Sequence, residues 1–586
     1  MSKPLGNEEI AHIFEKMSRV LALKGKDRFR ILAYEKAAQS IRDLQQDLST
    51  IAEAGRLEET PAIGKDLAGK IEEALRTGRI LQCEHECHNI SDSLLTLFDI
   101  RGLGPKTIAI LHSRYRVDGV DDLRQLLASS TLNKKKGFGA KKLAGLAEAV
   151  ESWVASHQRM LLGLALPKAE ALLEHVRRVR LVSRAELAGS LRRGRETIGD
   201  VDLLVTSEDS ARALIEISHL PVVTRVLAIG PTRATLLLDD LQVDIRAVPA
   251  ESFGAALQYF TGSKQHSTHL RAIARHRGLK VNEYGVFRGR RKLGGAEEQD
   301  VYRLLKMPWI PPEMREDRGE IEAAQENSLP DLVELNEIRG DLHVHTTYSD
   351  GRSSISEMVG QGAALGYEYI GLSDHSPFQR VARGLDLDRL GKKIKELEKV
   401  RQERVSARPL VLLGTEVDIL PDGSLDYPDD VLARFDVVVA AVHSHFKQSK
   451  SEMTERILKA IENRYVNIVA HPTARLINQR PAIEVDFQCV VLAAKEAGIA
   501  LEIDGSPWRL DLNDTLARAA TNSGALLAIT SDAHSAAQLS FMRFGVIQAR
   551  RGWIPASGIV NTWPWHKLHE WLIARRSQRV LAKKAG

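Results

Sequence analysis

At 586 residues the chain is too long for one hydrophobic core, and with domains of ~100 to 200 residues it should hold about four packed units. Hydrophobic residues make up 43% and charged residues 27%, an ordinary globular balance; no apolar run has the length of a membrane span, and the opening MSKPLGNEEI has no apolar signal core. Three cysteines, Cys83, Cys87 and Cys489, cannot build a disulfide framework, so a reducing cytoplasm is the expected location, and a net charge of +5 permits nucleic acid as a partner without requiring it.

The first part of the chain is helical in pattern. NEEIAHIFEKMSRVLALKG and LAGKIEEALRTG repeat apolar residues at intervals of three and four and end in glycine. Within it, PAIGKDLAGKI, RGLGPKTIAIL and KGFGAKKLAGL each set a glycine turn and a lysine at the start of a helix. Free N–H groups and the positive helix end can then face a phosphate, which makes Lys65, Lys106 and Lys141 expected DNA contacts. These segments resemble helix-hairpin-helix motifs, which grip the DNA backbone without reading sequence. The nearby CEHECH matches no common zinc spacing and is read as a helical surface stretch.

After residue 180 short strand-like runs take over: DVDLLVTS, TLLLDDLQVDIRAV and KVNEYGVFRG. In GSLRRGRETIGDVD, Asp200 and Asp202 stand at i and i+2, so on a strand both carboxylates leave from one face. Such a pair suits magnesium or manganese, and Asp244 in LQVDIRAV offers the third acid. Gly189, Ser190, Arg193 and Gly199 supply close backbone approach, a hydroxyl and a guanidinium fit for a triphosphate.

With the later LQYFTGSKQHSTHLRAIARHRGLKVNEYGVF, this region resembles the palm and nucleotide-binding parts of family X DNA polymerases, the DNA polymerase beta family, from about residue 5 to 318. The resemblance implies a lyase-like helical domain over 1–90, fingers over 91–155, an α+β nucleotidyltransferase palm over 156–250 and a thumb-like domain over 251–318. It also implies that Asp200, Asp202 and Asp244 hold two metal ions, one activating the primer 3′-hydroxyl and one organising the triphosphate. By the same carry-over Ser190, Arg193 and Gly199 contact the triphosphate. Tyr259, Phe260 and Gly262 close on the sugar, and Arg271 meets the template side. Lys264 and Ser267 depart from the animal enzyme's residues at the incoming base, so nucleotide affinity is expected to differ. Lys70 falls on the position of the family's lyase nucleophile, with Arg30 and Tyr34 on neighbouring pocket positions, and is kept as a candidate; Asp66 replaces a basic residue there, so lyase activity is not expected, and a phosphate contact or a solvated helix lysine is the other reading.

From 319 to 338 the chain is acidic and poor in large apolar groups, which predicts a linker or linking helix and halves that keep their activities when separated near residue 325. Beyond it, strands such as YIGLSDHS, DVVVAAVHSH and ALLAITSDAH alternate with helical stretches, as in a parallel β/α barrel. His343, His345, Asp350, His375, Glu416, His443, His471, Asp532 and His534 lie in or just after these strands, and nine nitrogen and oxygen ligands without a thiolate suit zinc, manganese or iron. These residues resemble the motifs of the polymerase and histidinol phosphatase (PHP) domain, over about 339–575, which implies a distorted seven-stranded TIM-like barrel, three ions and phosphoester hydrolysis. In that family's pattern His343, His345, Glu416 and Asp532 serve one ion, Glu416, His443 and His471 a second, and Asp350, His375 and His534 a third. Asp504 stands where relatives carry asparagine, so it is left out of the ligand set, and His445 is assigned to substrate binding or to capping its strand.

The expected protein is a DNA repair enzyme acting on gapped or nicked DNA with deoxynucleoside triphosphates. Its second domain is expected to be a 3′ to 5′ exonuclease and to be considered for abasic-site cleavage. Two rival readings stay open: a DNA-binding module whose polymerase has decayed, and a polymerase fused to a small-molecule phosphatase.

Overall fold

The computed structural model describes residues 5, 7–42, 44, 48–88, 90–100, 102–129, 131, 132, 135, 138–157, 159–404 and 407–582. The chain divides into two compact units, one centred on residues 1–158 and one built from 159–378 and 382–586.

The first unit is helical. Helices Asn7–Leu23, Arg28–Arg42 and Lys65–Thr77 enclose a core of Phe14, Tyr34 and Ile71, and helices Pro105–Tyr115, Val120–Ala128 and Ala140–His157 enclose another around Leu111, Leu123 and Val150. Gly64 and Gly104 take extended conformations at the start of their helices with no side-chain cap. Leu67 and Thr107 donate back to the Gly64 and Gly104 carbonyls, which leaves the N–H groups of Lys65, Asp66 and Lys106 to meet an outside acceptor.

In the second unit, five strands run in the order Arg184–Leu187, Asp200–Thr206, Leu241–Ala247, Arg233–Leu238 and Arg225–Ile229. The alternation of the strand Asp200–Thr206 explains its place. Val201, Leu203 and Val205 face the core shared with helix Leu162–Arg177, whereas Leu204 faces Phe253 and Leu257 of helix Phe253–Thr261 on the other side. Asp200 and Asp202 share the second face at its strand end. The strand Leu241–Ala247 runs parallel beside it with Asp244 level with Asp202. Helix Lys264–His276, a three-stranded antiparallel sheet and helix Glu298–Leu304 follow.

The remaining chain forms a parallel sheet of seven strands in chain order, from Gly340–Val344 to Leu526–Thr530. A parallel bridge from Val344 to Ala533 brings the first edge to the last, nearly closing a barrel. Strands such as Val437–Ala441 are buried along their whole length because both faces are covered. Val439, Ile468 and Ala500 point inward, whereas Val438, Val469 and Leu501 meet the surrounding helices.

The segment 319–338 differs from an unpacked tether. It carries the helix Glu320–Gln325, with Ile321 and Ala324 buried beside Val301 and Tyr302, and the Glu320 carboxylate lies 2.6 Å from His266 Nδ1. Of the two expected forms, linker or linking helix, the helix is the one present, and one short apolar stripe with a paired buried glutamate is enough to pack it. The barrel also enters the palm: Leu510 and Phe544 are buried in the same core as Leu162, Leu191 and Ile198. Gly194 has φ +64, and a Cβ there would come within 2.2 Å of Ile547 Cγ2. Ion pairs Arg475–Glu196, Arg550–Glu313 and Arg543–Glu170 cross the same boundary.

Two candidate active sites

The first site forms where the turn Gly189–Arg193 meets the strand Asp200–Thr206. Gly189 has φ +63, and a Cβ there would lie 2.3 Å from Asp202 Oδ2, so glycine lets the turn pass directly over the carboxylate. Asp244 Oδ1 accepts from Thr235 Oγ1 at 2.6 Å and its Oδ2 from Gln242 Nε2 at 3.0 Å, which fixes its orientation. Burial, together with the charges of Asp200 and Asp244, pushes Asp202 up to about 6. Arg246 and Arg193 offset this crowding only in part at Asp202, and clustered carboxylates of this kind are the donor set a hard divalent cation satisfies.

A cavity of about 800 Å³ opens beside these acids, and Ser190, Arg193, Tyr259, Lys264, Ser267 and Arg271 are among its lining residues. The two arginines of the GSLRRG turn part company. Arg193 faces the cavity and donates to the Thr261 carbonyl at 2.5 Å and to Glu316 at 3.1 Å. Arg192 turns inward and donates to Glu298 at 2.7 and 2.9 Å, where Arg315 joins it at 2.7 Å. Gly199 sits against Arg159, whose Nη1 would lie 3.1 Å from a Cβ at that position. Tyr259 and Phe260 pack edge to face at 5.1 Å, with Arg271 over the first and Arg246 over the second. Gly262 follows at the helix end, its own Cβ position 3.2 Å from Arg193 Nη1. The sequence offers no local sign of Glu316 or Glu298 as partners of these arginines, because each contact spans more than a hundred residues.

In the first unit Lys65, Lys106 and Lys141 are all exposed in the first turns of their helices. Lys70 is buried, paired with Asp66 and 5.9 Å from the Tyr34 ring centre. Cys83 is buried in the adjoining core and Cys87 partly buried, so CEHECH is not an open ligand cluster.

The second site lies at the carboxyl end of the barrel strands, where all nine expected residues converge. Among the described residues they group as His345, Asp350, His375 and His534; His343, His345 and Asp532; and Glu416, His443 and His471. Glu416 joins the groups: its Oε1 lies 3.1 Å from His443 and 3.0 Å from His471, and its Oε2 lies 3.4 Å from His343 and 3.0 Å from His375. Burial, with help from His534 and His375, pulls His345 down to about 4, and burial with Arg509 does the same for His471. On the remaining rings burial is outweighed by the carboxylates of the cluster, which push His343, His375, His443 and His534 up. His345 Nδ1, His471 Nδ1 and Asp350 Oδ1 are buried without a hydrogen-bond partner, a cost that bound cations would relieve.

Further acids steer these ligands and escape a sequence reading because they come from other strands. Glu502 lies 2.7 Å from His343 Nδ1 and accepts the His471 backbone N–H at 2.5 Å, and Asp418 lies 3.2 Å from His443 Nδ1. Asp504, buried beside Arg509, belongs to none of the ligand groups, and His445 is exposed with Nδ1 3.1 Å from Ser444 Oγ.

Family models match the chain in sequence order: a helix-hairpin-helix domain over residues 5–80, the DNA polymerase beta palm over 167–274, the DNA polymerase beta thumb over 256–316 and a PHP domain over 341–503. The DNA polymerase/3′-5′ exonuclease PolX of Bacillus subtilis (strain 168) is 35% identical over 560 residues, covering 94% of this chain and 97% of the relative. The chain belongs to the family X DNA polymerases that carry a PHP domain. DNA polymerase lambda of Rattus norvegicus is 27% identical over 359 residues, 53% of this chain and 56% of that protein. A probable phosphatase of Thermoanaerobacter sp. (strain X514) is 30% identical over 209 residues, 33% of this chain and 78% of the phosphatase. Among the described residues no helix is long and apolar enough to cross a membrane.

Proposed function

We propose that this protein is a DNA repair polymerase that adds deoxynucleotides to a primer 3′-hydroxyl in gapped DNA, and that its barrel removes 3′-terminal nucleotides. The observation that carries the reading is that Asp200 and Asp202 line a cavity together with Ser190, Arg193 and Tyr259, with Asp244 level with Asp202 on the neighbouring strand. Asp200, Asp202 and Asp244 would hold magnesium or manganese, which supplies hydroxyl activation and charge neutralisation at the leaving pyrophosphate. Ser190, Arg193 and Gly199 bind and orient the triphosphate. Tyr259, Phe260 and Gly262 close on the sugar, and Arg271 positions the template. Lys65, Lys106 and Lys141 hold the DNA backbone.

At the barrel, His343, His345, Asp350, His375, Glu416, His443, His471, Asp532 and His534 fit three ions of manganese, zinc or iron, with Glu416 shared. Such ions supply Lewis acidity for phosphoester hydrolysis, while Glu502 and Asp418 hold His343 and His443 in place. The chain's likeness over a third of its length to a probable phosphatase favours a second reading for the barrel, hydrolysis of a small phosphate ester. We also assign Lys70 no effective lyase role, since its ammonium is occupied by Asp66 and the amine must break that pair to attack.

The deciding experiment supplies the purified full chain with a 5′-labelled primer on gapped DNA, with and without nucleotides, in magnesium or manganese. Extension with nucleotides and shortening without them is the expected result. A chain that binds the gap but never extends would leave a targeting module, and absence of shortening beside hydrolysis of p-nitrophenyl phosphate would give the barrel to small esters.

A further inference from the structure

The pocket proposed for the nucleotide contains one acid that has no place among the cation ligands. Glu316 lines the same cavity as Ser190, Arg193 and Asp202, with its side chain 12% exposed. A carboxylate facing the path of a polyanionic triphosphate repels it unless its charge is balanced.

Three arginines surround Glu316. Arg193 Nε donates to its Oε1 at 3.1 Å, Arg195 stands off at 3.9 Å and is half exposed, and Arg551 Nη1 donates at 3.1 Å. Arg193 is the group the triphosphate needs, so it cannot also serve as the carboxylate's counter-ion once nucleotide is bound. Arg551 comes from the barrel helix Met542–Arg551 and is 1% exposed. Its Nη1 also donates to the Arg193 carbonyl at 2.5 Å, and its Nη2 donates to Asp514 at 2.8 Å. Asp514 has a cation of its own in Arg318, at 2.9 Å, so the charge of Arg551 remains available to Glu316. Burial would raise the Glu316 pKa, but Arg193, Arg551 and Arg195 outweigh it and keep the group ionised.

We propose that Arg551, a residue of the PHP barrel, is a positioning residue of the polymerase reaction: it holds and neutralises Glu316, which frees Arg193 to engage the incoming triphosphate. The nuclease domain thereby supplies part of the polymerase's nucleotide affinity. This rests on the reading of Arg193 as a triphosphate contact.

The test is single-nucleotide insertion of dTTP into one-nucleotide-gapped DNA by the full chain, with folding followed by circular dichroism. Arg551→Gln is expected to raise KM for dTTP about tenfold with kcat changed by less than about threefold, and adding Glu316→Gln to it should return KM to within about twofold of the parent. A purely structural role predicts instead that the double variant is no better than the single one, and that result, or an unchanged KM in Arg551→Gln, overturns the proposal. Should Arg551→Gln fail to fold, Arg551→Lys supplies the measurement. One ammonium cannot span Glu316, Asp514 and the Arg193 carbonyl, so KM should rise several-fold and again be reversed by Glu316→Gln. Arg193→Gln separates the two levels of the argument. If it leaves KM unchanged, the triphosphate assignment fails and the proposal with it; if it raises KM while the Arg551 variants do not, the proposal alone falls.

Discussion

Asp244 is oriented by Thr235 and Gln242 rather than by any residue of the barrel, so its removal should be felt at one site only. Asp244→Ala is expected to abolish extension in a primer assay while 3′ shortening continues at the parent rate; His343→Ala should do the reverse. Comparable loss of both activities in a folded variant would end the division of labour. Glu298 makes a different kind of residue-scale prediction. Burial would raise its pKa, but Arg315 and Arg192 together hold it well below the usual carboxylate range. A depressed folded-state pKa contributes stability that is present above the unfolded carboxylate's pKa and is lost as pH falls through the folded value. Glu298→Gln should therefore cost about 3–5 kcal/mol at neutral pH, since it leaves two buried guanidinium groups short of a partner. Calorimetry should show the gap in melting temperature between parent and variant narrowing as the pH drops below about 4.3. A gap that stays constant down to acid pH would mean the ion pairs contribute little. The placement of Asp200 and Asp202 was legible in sequence because D-x-D on an apolar strand has a fixed consequence for side-chain direction. Glu298, Glu316 and Glu502 were not, because a buried acid looks like a surface acid until its distant arginine or histidine is placed.

Periodicity served the elements well where one face is buried and poorly where few apolar residues do the packing. The barrel strands announce themselves as apolar runs closed by histidine or acid, and the palm strand by its alternation; a linking helix over Glu320–Gln325 was one expected form, but its packing is hidden in an acidic stretch because only Ile321 and Ala324 are needed to seat it. The helix starts after Gly64 and Gly104 belong to the legible group, and their uncapped first turns predict how they work. Lys106→Ala or Lys141→Ala should weaken binding of gapped DNA evenly across sequences and reduce the slope of log affinity against log salt by about one charge. Fluorescence anisotropy over a salt series reads this directly, and an unaltered slope would strike that lysine from the contact set. The barrel helix Met542–Arg551 carries the complementary prediction. Phe544 is buried among palm residues, so Phe544→Ala should destabilise the second unit by about 3–5 kcal/mol in chemical denaturation and depress primer extension along with it, although the residue belongs to the PHP barrel. A loss confined to the nuclease would show that the palm does not depend on this contact.

At the scale of the whole molecule, the expectation of separable halves meets a palm core that the barrel completes. Cutting near residue 325 would uncover Leu162, Leu191 and Ile198 on one side and Leu510 and Phe544 on the other, and would strand Arg551 without Glu316. Halves expressed apart are accordingly expected to be poorly soluble or to lose polymerase activity, and co-expression should recover it; a freely soluble, fully active fragment ending at 325 would show that the boundary is dispensable. Sequence could not anticipate this, since the residues that meet across the boundary are ordinary apolar side chains hundreds of positions apart. The close approach at Gly163 carries a consequence for descent. A Cβ there would fall 2.3 Å from Pro507 Cγ, so neither position can drift without the other. Lineages that kept both catalytic domains should show paired changes, with alanine or serine at 163 arriving alongside a smaller residue at 507. Lineages that shed the barrel should show position 163 released to vary, and an ancestor's palm grafted from them would not accept this barrel without restoring the glycine.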